Sequence, residues 1–278
     1  MLAFFLHDFS PFIMRFGNGF GLRWYGLAYV MAFLAGYKLY ERLARRGFTD
    51  MHPALVSDFI TWAAVFGVMI GGRVGWILFY GLKEPHEGDP WYWPFEVWKG
   101  GMASHGGILG LVLFTLWFAR AHKISWTSIG DSLVTVAPVG LFIVRCANFI
   151  NGELWGKPTD LPWAFGVPDA QGVLIARHPS QLYEASLEGL LLFAILWWFT
   201  SSPRPRLAPT GLFLFIYGCG RFVVEWVRLP DANIGYLAGN WLTMGMLLTT
   251  PMILVGAGMM IYAYRRNAPS GNLAAVKA

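Results

Sequence analysis

The chain has 278 residues, of which 56% are hydrophobic and only 13% charged. A water-soluble domain carries about 25% charged residues, so composition argues against a fold built for water. The net charge of +5 is spread along the chain, in the manner of membrane topology rather than of a nucleic-acid surface. Fourteen Trp and 33 Gly suit a membrane protein, where aromatics anchor at interfaces and glycines let helices approach. The two cysteines, Cys146 and Cys219, fall inside apolar segments without metal-ligand spacing and read as packing residues.

Taken in order, the first twenty residues lack a basic n-region, and His7, Asp8 and Pro11 interrupt their apolar run. They read as an interfacial lead-in rather than a cleaved signal. Seven apolar segments follow, near 22–40, 56–80, 103–119, 130–148, 181–200, 210–228 and 240–263, each close to the ~20 residues that a spanning helix needs. Linkers are short except at 81–102 and 149–180. The expected fold is all-α and polytopic: one integral-membrane domain over 1–278, a bundle of about seven transmembrane helices with outer-face loops.

Orientation follows from Lys and Arg. Eleven lie in the linkers at 38–50, 120–123 and 204–206 and the tail 265–278; seven lie in the opposite set, and Arg73, Arg145 and Arg221 fall within segments. The positive-inside rule puts the amino terminus outside and the carboxyl terminus in the cytoplasm. The linker EPHEGDPWYWPFEVW reads as an aromatic belt on the outer side. With that orientation, Tyr25, Arg73, His105, Arg145, Asn148, Gln181, Tyr183, Glu184, Arg221 and Glu225 all land in the same outer half. Random polar insertions would scatter.

The stretch Arg145 to Gly156, RCANFINGELWG, closes an apolar segment with a guanidinium, two amides, a carboxylate and two glycines. Charge near hydrocarbon costs several kcal/mol and needs a partner or a task. Arg145 and Arg221 at one depth make a fork for a phosphate, since planar donors match its oxygens. The alternative is a structural ion pair with Glu153, Glu184 or Glu225. An apparent shortage of nearby acids favours a bound anion. His105, in SHGGILG, opens an apolar segment and reads either as a base or headgroup contact or as a helix cap. Gly67, Gly71 and Gly75 with Gly106 and Gly110 read as helix packing. Gln181 and Glu184 could cap the helix that starts at Pro179 and Tyr183 could equally face a substrate, which spacing alone does not decide, and Tyr25 reads as an interfacial anchor. No serine elbow and no metal-binding carboxylate pair is present, so a nucleophile would come from a substrate.

Six stretches in order resemble the bacterial prolipoprotein diacylglyceryl transferases: RWYGLAY at 23–29, GGRVGW at 71–76, SHGGILG at 104–110, RCANFINGELWG at 145–156, RHPSQLYEA at 177–185 and YGCGRFVVEW at 217–226. The resemblance implies an inner-membrane enzyme with its site toward the periplasm. It implies transfer of the diacylglyceryl group of phosphatidylglycerol to the lipobox cysteine of a prolipoprotein signal peptide, releasing glycerol phosphate, without metal or cofactor. By the same resemblance His105, Arg145 and Arg221 are the expected catalytic residues. Tyr25, Arg73, Asn148, Asn151, Glu153, Gly156, Gln181, Tyr183, Tyr217 and Glu225 are the expected substrate-binding ones. A lipid flippase, a lipid-binding envelope partner and a headgroup transferase are the competing readings.

Overall fold

The computed structural model describes residues 5–17, 20–83, 90–96, 100–169, 171–230 and 235–266. Most of the tail 265–278 and much of the aromatic linker therefore lie outside the described residues. Among those described are seven long helices: α1 (Trp24–Arg45), α2 (Pro53–Phe79), α3 (Ser104–Ala121), α4 (Trp126–Asn151), α5 (Ser180–Phe199), α6 (Ala208–Glu225) and α7 (Met244–Arg266). Five of them (α2, α3, α4, α5 and α7) are long and apolar enough to cross a membrane. The other two have the length without the hydropathy. In α1 the reason is Tyr25, Tyr29, Tyr37 and Tyr40 with a charged last turn; in α6 it is Arg221 and Glu225.

The expectation of an all-helical chain needs one correction. Short strands β1 (Phe5–Leu6), β2 (Phe12–Gly17), β3 (Phe20–Arg23), β4 (Phe165–Pro168) and β5 (Leu174–Arg177) occupy the lead-in and the second long linker. β2 and β3 pair antiparallel. β4 pairs antiparallel with β5 and parallel with β1. These segments are too polar or too short to span, and pairing satisfies their backbone groups where helices do not.

The residues group into two compact units: one from Glu41 to Gly130, the other made of those up to Tyr40 and from Asp131 onward. Within the Glu41–Gly130 unit, α2 and α3 meet through glycine. A Cβ on Gly71 would stand 2.7 Å from the Gly106 carbonyl oxygen, and one on Gly75 would stand 2.6 Å from Gly106 Cα. Backbones this close fit the small-residue packing read from the sequence. Arg73 in the same unit is 8% exposed. Its guanidinium donates to the carbonyls of Trp93 (2.8 Å), Pro94 (2.7 Å), Gly100 (2.9 Å) and Gly101 (3.0 Å) and lies over the Trp76 ring.

In the other unit, α6 and α7 pack closely at Gly211 and Gly256. The fully buried Asp131 of α4 accepts from Leu207 N–H (2.8 Å), Thr210 N–H (3.2 Å) and the Thr210 hydroxyl (2.6 Å), which caps the start of α6. α5 lies against α4 where Gly189 admits Phe142; a Cβ on Gly189 would stand 2.7 Å from Phe142 Cα. The residues Ala185–Leu191 of α5 form a π-helical stretch, a widened turn frequent at functional sites.

Candidate active site

Helix α4 runs through Arg145 and Asn148 and ends at Asn151. Gly152 then takes φ +72° and Leu154 φ +63°, so the chain leaves the helix through two left-handed residues. The turn is braced from α5. Ser180 Oγ donates to the Leu154 carbonyl (2.6 Å), and the Gln181 amide donates to the Glu153 carbonyl. Both side chains are fully buried. Gln181, expected as a substrate contact, thus holds the turn. On the other side His7, Phe9, Phe149, Trp155 and Phe165 form an aromatic cluster under it.

Gly156 is the crossing point. Its N–H donates to the His178 carbonyl (2.9 Å), and the next N–H, of Lys157, donates to the Val227 carbonyl (2.7 Å). A Cβ there would stand 2.5 Å from Val227 O and 2.8 Å from His178 Cβ. Only glycine lets the segments before α5 and after α6 close on the end of α4. Gly156→Ala is expected to cost about 1–3 kcal/mol by overpacking, seen as a lowered unfolding temperature in detergent. Beside this crossing, Trp163 Nε1 donates to the Tyr183 hydroxyl (2.7 Å), and His178 Nδ1 lies 3.3 Å from the same oxygen. Burial, and then the Lys157 charge, hold the His178 imidazole below its ordinary pKa.

The crossing assembles a cluster of charge. Arg145 Nε pairs with Glu184 Oε2 at 2.8 Å, while Arg221 Nη1 (2.8 Å) and Arg228 Nη1 (2.5 Å) converge on Glu184 Oε1. Glu184 is fully buried. Arg221 Nη2 also pairs with Glu225, which accepts in addition from Thr243 Oγ1 (2.7 Å) and faces Arg228 Nε at 3.5 Å. Gly245 makes room for that carboxylate: a Cβ there would stand 2.5 Å from it. Arg145 Nη1 approaches Asn148 Oδ1 (3.4 Å); Asn148 (2.8 Å) and Asn151 (3.3 Å) donate to Glu153 Oε1.

The structure therefore brings Arg145 and Arg221 together, as the sequence suggests, but corrects the supposed shortage of acids. Glu184 and Glu225 already sit on the guanidiniums. Opposite charge in low dielectric draws them in; a spacing of four points Glu225 at Arg221, whereas no spacing rule says that Glu184 reaches Arg145 and Arg221. A phosphate would meet the donors that remain, among them Arg145 Nη2, which makes no bond among the described residues. Tyr25 contacts the Tyr29 hydroxyl (3.4 Å), and Tyr29 lies in electrostatic reach of Arg145 and Glu153. Tyr217 stacks on Phe213 with 5.6 Å between ring centroids, and it feels Arg221 and Arg145. An apolar cavity of about 220 Å³ between α1 and α4 is lined by Trp24, Met31, Phe142 and the two residues after Arg145, Cys146 and Ala147.

Two expected site residues belong to the Glu41–Gly130 unit. His105 is the second residue of α3, exposed, with no hydrogen bond among the described residues. Arg73 spends its donors on backbone carbonyls, so it anchors the 93–101 segment instead of offering a free fork. Glu184 is one of three acids that the sequence offers as ion-pair partners, and the structure makes it the hub; Arg228 and Thr243 escaped the sequence reading. For Arg228 the available signal was its spacing three residues after Glu225, which would set it on the face of Arg221 and Glu225 if the helix ran on past Glu225.

Long apolar helices, with three part-buried arginines gathered on the buried carboxylates of Glu184 and Glu225, define a polytopic membrane protein with a charged cluster among its helices. The profile of the family described as prolipoprotein diacylglyceryl transferase matches residues 11–262. Proteins named phosphatidylglycerol–prolipoprotein diacylglyceryl transferase are similar to the chain over most of its length. One from Pseudomonas paraeruginosa (strain PA7) is 47% identical over 247 residues, 89% of this chain and 91% of its own. One from Nitratidesulfovibrio vulgaris (strain Miyazaki F) is 49% identical over 250 residues, 90% of this chain and 91% of its own. The chain belongs to the prolipoprotein diacylglyceryl transferase family.

Proposed function

We propose that the protein transfers the diacylglyceryl group of phosphatidylglycerol to the thiol of the lipobox cysteine in a prolipoprotein signal peptide, the first step of lipoprotein maturation. The observation that carries this reading is the meeting of Arg145 and Arg221, from separate helices, on one buried carboxylate. Family membership gives the cluster its substrate. The polar cluster, with an apolar cavity lined by the residues after Arg145, suits a lipid whose phosphate and acyl chains need different surroundings.

A thiol of pKa about 8.5 must lose its proton to attack. His105 takes that proton. The sulfur forms a bond to the glycerol carbon attached to phosphate, the C–O bond breaks, and its electron pair leaves with glycerol phosphate. Negative charge grows on the leaving oxygen, and Arg145 and Arg221 stabilise it where water is scarce. Glu184 and Glu225 orient those arginines. Asn148, Asn151 and Glu153 shape the headgroup side, with Gly156 supplying the close approach and Tyr25, Tyr183 and Tyr217 framing it. In this reading the chain is one integral-membrane domain, and α1 and α6 also span, which makes seven transmembrane helices in the bacterial inner membrane. The amino terminus and the site face the periplasm, where secreted precursors emerge, and the carboxyl terminus is cytoplasmic, as the Lys and Arg distribution supports.

Purified protein incubated with phosphatidylglycerol and a lipobox peptide should add the mass of one diacylglyceryl group to the peptide. A peptide with serine for cysteine should stay unmodified. Addition of a phosphatidyl group instead would make the protein a headgroup transferase, and no addition would leave it a lipid binder.

A further inference from the structure

Glu188 has no part in the chemistry just described. It is fully buried, in the π-helical stretch of α5 and four residues after Glu184. Neither carboxylate oxygen finds a hydrogen-bond partner among the described residues. A Cβ on Gly220 would stand 3.8 Å from Glu188 Cγ, so the side chain packs on α6 next to Arg221. The charged and titratable groups that it feels are Glu184 on its own helix, Arg145 on α4, and Tyr217, Arg221 and Arg228 on α6 and just beyond it. An unpartnered buried carboxyl costs folding free energy, and an apolar residue of similar size would avoid that cost.

We propose that Glu188 sets the net charge of the arginine cluster so that it holds a phosphodiester monoanion in preference to a phosphomonoester dianion. The inference rests on the transfer reaction proposed above and names what the same site selects. Direct ion pairs join three guanidiniums to two carboxylates, Glu184 and Glu225, an excess of one positive charge. Glu153 is solvent-exposed and tied to amides, so its charge is screened. Left with that excess, the cluster would favour the wrong ligand. The substrate diester carries one negative charge; the glycerol phosphate left behind carries nearly two at neutral pH, its second ionisation lying near 6. Product would bind more tightly than substrate and clog the site. When its carboxyl is ionised, Glu188 repels each ligand in proportion to that ligand's own charge. Glu188 thus penalises the product about twice as much, in free energy, as the substrate, and glycerol phosphate departs.

This gives a signature that a packing role lacks. Binding of glycerol phosphate and of glycerophosphoglycerol, the water-soluble diester, is measured by calorimetry at pH 8 on the full chain in detergent. The unsubstituted protein is compared with Glu188→Gln and Glu188→Leu. Both variants should bind the diester about threefold more tightly and the monoester about tenfold more tightly, the second factor being the square of the first. Transfer should become correspondingly more sensitive to inhibition by added glycerol phosphate. Equal factors for the two ligands, unchanged binding, or weaker binding in both variants would overturn the role of Glu188 and leave the transfer reading standing. Failure of the unsubstituted protein to bind either compound would remove the phosphate site, and this inference with it.

Discussion

Glu184→Gln is expected to stop transfer and to destabilise the protein by about 3–5 kcal/mol, the cost of removing one partner from a buried ion pair. Three guanidiniums converge on this carboxylate, at 2.8 Å, 2.8 Å and 2.5 Å. Glutamine has nearly the same shape, so the effect isolates charge. Without it, Arg221 and Arg228 keep Glu225, whereas Arg145 keeps only the long contact to Asn148. Three cations would then repel one another at a site almost closed to water. Thermal unfolding in detergent reads the stability loss, and the lipobox-peptide assay reads the rate. Glu184→Asp restores the charge on a shorter arm; it should recover part of the stability and little of the rate, because a shift of about 1 Å in catalytic geometry is itself costly. Near-normal turnover in Glu184→Gln would show that some other group holds the arginines.

The helices were legible because a spanning segment must be long and apolar whatever it packs against. The expected segment 103–119 became Ser104–Ala121, and 181–200 became Ser180–Phe199. The strands were not legible, since pairs such as Phe5 with Phe165 join residues far apart in the chain. Site residues divide the same way. Arg145 and Arg221 stand out because charge in an apolar run demands a reason. The partner of Arg73 was invisible because it is backbone, four carbonyls that any sequence would supply. Arg228 looked like an ordinary linker charge just past α6, and it joins the cluster only because Gly156 draws that segment against the end of α4. In the sequence Glu184 reads both as a possible cap and as one of three possible partners for the arginines, since its depth between helices is a tertiary fact.

Arg145→Ala and Arg221→Ala should each reduce transfer by about 10³-fold or more, while costing less stability than loss of Glu184. Removing a single donor from a preorganised oxyanion site costs about 10²–10³ in rate, and an arginine placed on a phosphoryl group is worth about 10³–10⁵. A loss of 10³ corresponds to about 4 kcal/mol of transition-state stabilisation. The fold survives because the acids keep company. Without Arg145, Glu184 retains Arg221 and Arg228; without Arg221, it retains Arg145 and Arg228, and Glu225 retains Thr243. Lysine should rescue neither position. Its single ammonium cannot hold Glu184 and present a further planar donor to phosphate together. Arg145→Lys is the sharper test, since Arg145 gives Nε to Glu184 and keeps Nη2 for the ligand. A turnover within tenfold of the unsubstituted protein in Arg145→Lys would reduce Arg145 to a point charge. The same result in Arg145→Ala would place the phosphate elsewhere.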